Sequence, residues 1–221
     1  MESFAVENFH IQVSNSVSNL GVVLDKYLSF SKQINHICRK ATLAMKYISR
    51  IRKYLSKDNL TRLVNTMVIS HLDHCNGILY GLPEKEIFKL QRVQNCAARL
   101  ITGTGRYEHI TPVLKDLHWL PVRSRLTFKI LLTTYKILYG LAPFYMSSLL
   151  SVRQSVRSLR SSNKSLLSIP SVKTKSYGQR AFSYCAPLLW NGLPEVIKCS
   201  PTLYSFKSAL KTHLFRQCYE C

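Results

Sequence analysis

Apolar side chains recur at helical spacing along residues 83–102, which predicts an amphipathic helix. Pro83 suits a first helical position, and Gly103 supplies a stop after the last apolar turn. One face carries the apolar side chains Leu90, Val93, Ala97 and Leu100. Because Ala97 and Ala98 are small, we expect a second helix to approach closely there. The positions off this face include Lys89, Arg92 and Arg99. The pattern fits a core helix with a solvated side, and it also fits a scaffold whose cationic side contacts an anion.

A longer helical pattern precedes it, beginning with Ser29 or Ser31 as a cap and running to about Leu55. Its apolar stripe comprises Ile34, Ile37, Ala41, Ala44, Ile48, Ile51 and Leu55. Its other side carries seven basic residues: Lys32, Arg39, Lys40, Lys46, Arg50, Arg52 and Lys53. No acidic residue occurs from position 26 to position 57, whereas a solvated helix usually mixes both signs of charge. With Tyr47 and Tyr54 among the charges, the helix suits a phosphate backbone with stacked bases, although a solvated amphipathic helix remains the alternative.

The remaining pattern completes a mainly helical fold. Residues 4–24 alternate apolar and polar side chains around Asn15-Ser16, which predicts a β-hairpin with its turn at those two residues. Ser56 begins a further helix, whose predicted core stripe is Leu60, Val64, Met67, His71, Cys75 and Ile78. Three antiparallel helices joined by short turns form a bundle. The predicted fold is therefore mainly α, with an N-terminal β-hairpin followed by a helical bundle and a helical C-terminal extension.

Changes in composition divide the rest of the chain. Eleven serines lie between positions 147 and 176, interspersed with basic residues, and no acidic residue occurs from 117 to 194. This stretch is either a flexible linker, partly strand at 165–172, or a segment that tracks a nucleic-acid strand or is phosphorylated. The predicted units are a hairpin at 1–27, a three-helix bundle at 28–104, a helical extension at 105–150, a basic Ser-rich linker at 151–175 and a C-terminal helical segment at 176–221.

Charge is the strongest compositional fact. The 221 residues include 31 Lys and Arg against 11 Asp and Glu, a formal net charge of +20. An anionic partner would relieve the self-repulsion, and nucleic acid is the leading candidate because Lys and Arg neutralise phosphates with release of counterions. A membrane surface and ribosomal surroundings are the alternatives.

Seven widely spaced cysteines form no disulfide framework, so we expect reduced thiols and an intracellular location, in the nucleus or the cytoplasm. The first residues lack the basic segment of a secretory signal. No apolar run approaches the roughly 20 residues needed to cross a bilayer, so we expect no membrane association through a span.

The sequence lacks the residue patterns that are typical of a catalytic site. The 11 acidic residues include no adjacent aspartates of the kind that hold two metal ions, and neither a phosphate loop nor a nucleophile elbow occurs. His71, His74 and Cys75 resemble a metal cluster, but only His71 and Cys75 would share a helix face, and a closed site needs about four ligands. Cys218 and Cys221, even with His213, supply at most half a zinc site. We therefore expect no catalytic residue and no metal ligand.

Several stretches together resemble a known family. They are SNLGVVLDKYLSFSKQI (18–34), HLDHCNGILYG (71–81), LQRVQNCAARLITG (90–103), LHWLPVRSRLTFK (117–129), LRSSNKSLLSIP (159–170), RAFSYCAPLLWNGLP (180–194) and FKSALKTHLF (206–215). In this order they are similar to the carboxy-terminal portion of the reverse transcriptase of LINE-type, non-LTR retrotransposons, of the Jockey and chicken-repeat kind. One position departs from that pattern, because His74 stands where the family commonly has tyrosine.

The resemblance implies a fold and a partial function. Residues 1–27 would be a remnant of the polymerase palm, residues 28–104 a thumb, and the rest a post-thumb extension. The parent is an RNA-directed DNA polymerase that uses Mg²⁺, but its catalytic Ala-Asp-Asp turn does not occur in this chain, which should be inactive alone and hold no cofactor. A thumb closes on the template–primer duplex through its backbone, so the expected partner is RNA or RNA–DNA hybrid.

The expected contacts are Lys32, Arg39, Lys40, Lys46, Tyr47, Arg50, Arg52 and Lys53, with Arg92 and Arg99 as a second row. The alternative is a structural or protein-interaction domain, a host-retained or pseudogene fragment without a nucleic-acid role, in which the segments of Trp119 and Trp190 anchor an interface. The oligomeric state is left open by the sequence.

Overall fold

The computed structural model describes residues 3–6, 9–12, 14–153 and 166–220. Two consecutive antiparallel hairpins begin the chain: β1 (Ser3–Val6) pairs with β2 (Phe9–Gln12), and β3 (Ser16–Asn19) pairs with β4 (Val22–Asp25). Helices follow, so the predicted mainly α fold with an N-terminal hairpin is confirmed.

The turn predicted at Asn15-Ser16 is wrong. The strands on either side of that pair belong to different two-stranded sheets, and β3 turns back onto β4 through Leu20-Gly21. Both turn residues have positive φ, 48° and 79°, which matches the twist of a tight hairpin. The signal in the sequence was Gly21, which adopts such a φ without steric cost.

The first helical bundle is built on two long helices. Its elements are α1 (Ser31–Ile51), a 3₁₀ turn (Arg52–Tyr54), α2 (Lys57–Val64), a π-helical turn (Asn65–Ile69), α3 (Ser70–Asp73), a 3₁₀ turn (Asn76–Leu79) and α4 (Glu84–Thr102). Helix α1 packs most extensively against α4. Ala41, Ala97 and Ala98 are fully buried, so small side chains permit the close approach expected at that contact.

The π-helical turn corrects the predicted stripe of the helix that begins at Ser56. Beyond Val64 the buried side chains are Val68, Ile69, Leu72 and Leu79, whereas Met67, Cys75 and Ile78 are exposed. A π turn places one extra residue in the helix, so every later position moves round by one residue. The prediction assumed 3.6 residues per turn throughout and therefore failed after Val64.

A second group of helices completes the described chain. Its elements are α5 (Ile110–Asp116), α6 (Val122–Leu138), 3₁₀ turns at Phe144–Leu149 and Gly178–Arg180, α7 (Phe182–Asn191), α8 (Glu195–Lys198) and α9 (Leu203–Tyr219). Tyr135, Trp190 and Phe206 are at most 1% exposed and form the centre of a second hydrophobic core. A reciprocal capping box between Thr202 and Ser205 starts α9.

The ends of the predicted Ser-rich linker are attached to this second core. Val152 and Leu167 form an antiparallel bridge, in place of the strand predicted at 165–172. Leu167 is buried, and its N–H and C=O each bond the side chain of Asn191 at 2.8 Å. The middle of the predicted linker, 154–165, lies outside the described residues.

Candidate nucleic-acid interface

Asp25 fixes the entry of the chain into α1. Its carboxylate accepts hydrogen bonds from the N–H groups of Tyr27, Ser29 and Phe30 at 3.1, 3.0 and 2.7 Å. Burial raises the pKa of Asp25, but these hydrogen bonds outweigh that effect, and the net pKa lies below its usual value. We expected Ser29 or Ser31 to cap α1. The N-cap residue is instead Phe30, in a left-handed conformation and without a side-chain cap.

The outward face of α1 carries most of the predicted contacts. Six predicted cations are exposed on it or just beyond its end: Lys32, Arg39, Lys40, Lys46, Arg50 and Lys53. Lys32, Arg39, Lys46 and Lys53 recur every seven residues, which is close to two helical turns, so they follow one ridge. Because neighbouring members of this row are about two helical turns apart, the four residues together cover about 30 Å along the helix axis. This seven-residue spacing is present in the sequence, but the prediction of the contacts did not use it.

These cations have no internal counter-charge. Within 14–153 and 166–220, no carboxylate forms an ion pair with any basic residue of α1. Two tyrosines occur among these cations, Tyr47 and Tyr54, and they are 53% and 76% exposed. Arg50 lies 5.8 Å from the ring centroid of Tyr47, and Lys53 lies 4.9 Å from that of Tyr54. The face therefore offers cations together with open aromatic rings on which a base can stack.

The charge of Lys40 on α1 acts on His71 in the neighbouring helix α3. Burial lowers the pKa of His71, and the charges of Lys40, His36 and His74 lower it further. A histidine in such surroundings favours its neutral form because another positive charge nearby is unfavourable. Burial is thus the main cause of the lowered pKa of His71, and the nearby charge of Lys40 adds to it.

A groove of about 680 Å³ between α1 and α4 is lined by one cation from each of the two predicted rows. Its apolar floor includes Met45 and Val93, and its basic lining residues are Lys46, Lys89 and Arg92. Lys89 is already bound to Glu86 at 2.9 Å. Arg92 is exposed, so it and Lys46 offer cations from both helices to one ligand lying along the groove.

Arg52 and Arg99 occupy a different position. Both are half-buried at the loop that ends α4. Arg99 donates from Nε to the Gly105 carbonyl at 3.1 Å and from Nη2 to the Glu108 carbonyl at 3.0 Å. Arg52 packs on Gly103, where an added Cβ would lie 2.8 Å from its Nη2. The guanidinium of Arg99 thus fixes the loop, a role that sequence periodicity did not reveal.

The two tryptophans named in the alternative prediction are core residues. Trp119 is 6% exposed and Trp190 is 1% exposed, and each belongs to a hydrophobic core. A side chain at this level of burial contributes to its core and not to contact with a partner. The interface role of the surrounding segments stays a prediction.

Other candidate chemistry is sparse. In the described ranges, no group of three His, Cys, Asp or Glu side chains is placed to hold a metal ion. Helix α3 ends at Asp73 and Cys75 adopts a left-handed conformation, so His71 and Cys75 do not share the helix face predicted for them. Cys218 Sγ lies 3.0 Å from Ser124 Oγ, and Cys221 lies outside the described residues.

Across the part of the chain with assigned structure, every helix is too short or too polar to cross a membrane.

Comparisons with known proteins add no family assignment. A scan against protein-family models finds no matching family, and searches of curated proteins and of solved structures find no match.

Proposed function

We propose that this chain binds RNA or RNA–DNA hybrid through the phosphate backbone, without reading sequence. In this proposal it is a catalytically incomplete, thumb-like portion of a non-LTR retrotransposon reverse transcriptase. The proposal rests on the outward face of α1. Basic side chains are exposed there, and they form no ion pair with a carboxylate of the described residues.

The type of side chain favours phosphate contact. Lys and Arg neutralise backbone phosphates and position a protein on a duplex, whereas sequence is read by groups that reach the base edges. Lys46 and Arg92 line the same groove, so a strand lying there would meet cations from two helices. Tyr47 and Tyr54 add rings that stack on any base. The family resemblance is what selects RNA or RNA–DNA hybrid among anionic polymers.

The proposal assigns no chemical step to this chain. In the family that the chain resembles, the catalytic aspartates that hold Mg²⁺ lie in an Ala-Asp-Asp turn of the palm, and that turn does not occur among these 221 residues. What remains for these residues is to hold and orient the duplex, with Arg99 and Arg52 keeping the end of α4 in place.

The test is a titration of a fluorescein-labelled RNA–DNA hybrid with the whole chain, followed by anisotropy. We expect the triple variant Arg39→Glu, Lys40→Glu and Arg50→Glu to bind about 100-fold or more weakly, because three phosphate contacts become repulsive. The matched control reverses three exposed lysines of α5 and α9, Lys115, Lys207 and Lys211, with the same change in net charge. The control should lose less than about tenfold, through long-range field alone.

Equal losses in the two triple variants would contradict the proposal, since net charge and not the face of α1 would then determine affinity. Unchanged affinity in the α1 variant would contradict it as well. Both variants should keep their thermal midpoints, because the substituted side chains are exposed.

A further inference from the structure

A second apolar stripe runs along α1 on its solvent side. Its members are Leu43, Tyr47 and Ile51 of the helix and Tyr54 of the following 3₁₀ turn, and they are 49%, 53%, 45% and 76% exposed. Leu43, Tyr47 and Ile51 follow one another at intervals of four residues, so they lie on one side of the helix. Single exposed apolar side chains are common on protein surfaces, whereas a contiguous set indicates a contact surface. We call this set the open stripe, since solvent reaches all four side chains.

The open stripe lies beside the cation ridge of α1. That ridge consists of Lys32, Arg39, Lys46 and Lys53. Lys46 and Tyr47 are consecutive, so their side chains point about 100° apart around the helix axis. Two contacts join the rows: Arg50 lies 5.8 Å from the ring centroid of Tyr47, and Lys53 lies 4.9 Å from that of Tyr54. A ligand lying along α1 would therefore meet charge on one side and apolar surface on the other.

This combination selects the chemistry of the ligand. A ligand that covers both rows carries negative charges at intervals along one edge and flat apolar groups along the other. A second copy of this chain does not, because its own net charge of +20 would repel the cation ridge. An unpaired nucleic-acid strand has both features, since its phosphates lie along its backbone and its bases expose their faces.

Spacing along the helix distinguishes an unpaired strand from a duplex. Leu43, Tyr47 and Ile51 are about 6 Å apart along the axis, because each interval is four residues. Bases in a B-form duplex stack about 3.4 Å apart, and neighbouring pairs cover their faces. A duplex could thus contact the cation ridge but not the open stripe, whereas a strand whose bases are unstacked could contact both.

We propose that α1 holds an unpaired nucleic-acid strand, with its phosphates on the cation ridge and its bases stacked on Tyr47 and Tyr54. This inference rests on the function proposed above and deepens it, because it selects single-stranded RNA as the partner that uses the whole surface. Ile51 adds apolar surface between the two rings, and Leu43 extends it by about one turn toward the start of the helix. Since every base has a flat face, this contact requires no particular base.

The test compares two fluorescein-labelled probes by anisotropy: a single-stranded oligouridine RNA of about 12 nucleotides and an RNA–DNA hybrid of the same length. The double variant Tyr47→Ala and Tyr54→Ala removes both rings and keeps every charge. We expect it to bind the single strand about tenfold or more weakly, and the hybrid less than about twofold more weakly. The matched control is Tyr145→Ala with Tyr204→Ala, whose rings are 65% and 83% exposed in the second group of helices. The control should bind both probes as the unaltered chain does, and both variants should keep their thermal midpoints.

A third probe isolates the contribution of the bases. An abasic oligomer of the same length keeps the sugar-phosphate backbone and lacks every base. The unaltered chain should bind it about tenfold more weakly than the oligouridine, and the double tyrosine variant should bind the two strands about equally. Equal affinity of the unaltered chain for both strands would overturn the inference.

Failure of this inference is distinguishable from failure of the proposed function. If the double tyrosine variant lost affinity equally for strand and hybrid, or for neither, the inference would be overturned, while weaker binding of both probes by the α1 triple variant would still support the phosphate contacts. Unchanged affinity in the α1 triple variant would overturn both. Self-association of the unaltered chain that the double tyrosine variant abolishes would assign the open stripe to a second copy and overturn the inference, and sedimentation velocity measures it.

Discussion

The cations of this chain fall into two groups that composition alone cannot tell apart. Those on the outward face of α1, such as Arg39 and Arg50, project into solvent and form no ion pair with the described carboxylates. Several cations of the later helices, among them Arg99, Arg125 and Lys198, bond carbonyls or carboxylates of the fold. The same net charge of +20 therefore includes side chains free for a partner and side chains needed for folding.

The difference shows where a partner should act. Only a cation without a partner in the fold changes its surroundings when a phosphate arrives, and so only such cations contribute to counterion release. Removing a member of the second group leaves a carbonyl or a carboxylate without its donor, which lowers stability and not affinity. Each prediction below compares the two groups.

The largest expected effect within the fold is that of Arg125→Met. Arg125 donates to Asp73 at 2.8 Å and to the Leu120 carbonyl at 2.9 Å, and it lies 6.0 Å from the centroid of the Trp119 ring. We expect the free energy of unfolding to fall by about 2–3 kcal/mol, since the pair is partly buried. Urea denaturation measures this loss.

The control for Arg125→Met is Arg123→Met, two residues away on the same helix. The Arg123 side chain is 68% exposed, so its loss should change stability by no more than about 0.5 kcal/mol. If both variants were equally stable, the distinction between partly buried and exposed ion pairs would fail for these two arginines.

Arg99 and Arg92 sharpen the comparison within one helix. Arg99→Ala should cost about 1–2 kcal/mol of stability, because the carbonyls of Gly105 and Glu108 lose a charged donor. Arg92→Ala should leave stability unchanged and weaken hybrid binding about threefold to tenfold, as expected for one phosphate contact. Thermal unfolding and anisotropy, measured on both proteins, give the two values. The reverse assignment of effects would show that α4 presents Arg99 and not Arg92.

The sequence predicted those elements whose structure depends on local periodicity and failed for those that depend on distant contacts. The long basic helix and the helix that follows Pro83 were predicted because Ile34, Ile37 and Ala41, or Leu90 and Val93, repeat at ordinary helical spacing. The stripe after Val64 failed, because a π turn depends on tertiary packing and leaves no mark in residue spacing.

The candidate site was predicted in part for the same reason. Helical periodicity determines which side chains of α1 point into solvent, so the six exposed cations could be predicted. The bonds of Arg99 to the loop after α4 could not be predicted, because they depend on how residues 103–108 fold back. The burial of Trp119 and Trp190 likewise depends on contacts between distant helices.

The smallest expected effect concerns the start of α1. Because the pKa of Asp25 is lowered in the folded chain, its contribution to stability is fully present above the unfolded pKa of about 4 and is lost as pH falls through the folded pKa. Asp25→Asn should therefore be less stable than the unaltered chain at neutral pH, and the difference should shrink in acid. Thermal midpoints across the pH range measure it, and a difference independent of pH would contradict the role given to the carboxylate.

The salt dependence of hybrid affinity tests the central claim most directly. If the free cations of α1 neutralise phosphates, the logarithm of the association constant should fall linearly with the logarithm of salt concentration, by roughly one unit of slope per contact. With six exposed cations on or beside this face and Arg92 across the groove, we predict a slope of about −4 or steeper for the unaltered chain. A slope between zero and about −1 would contradict the proposal that α1 binds the phosphate backbone.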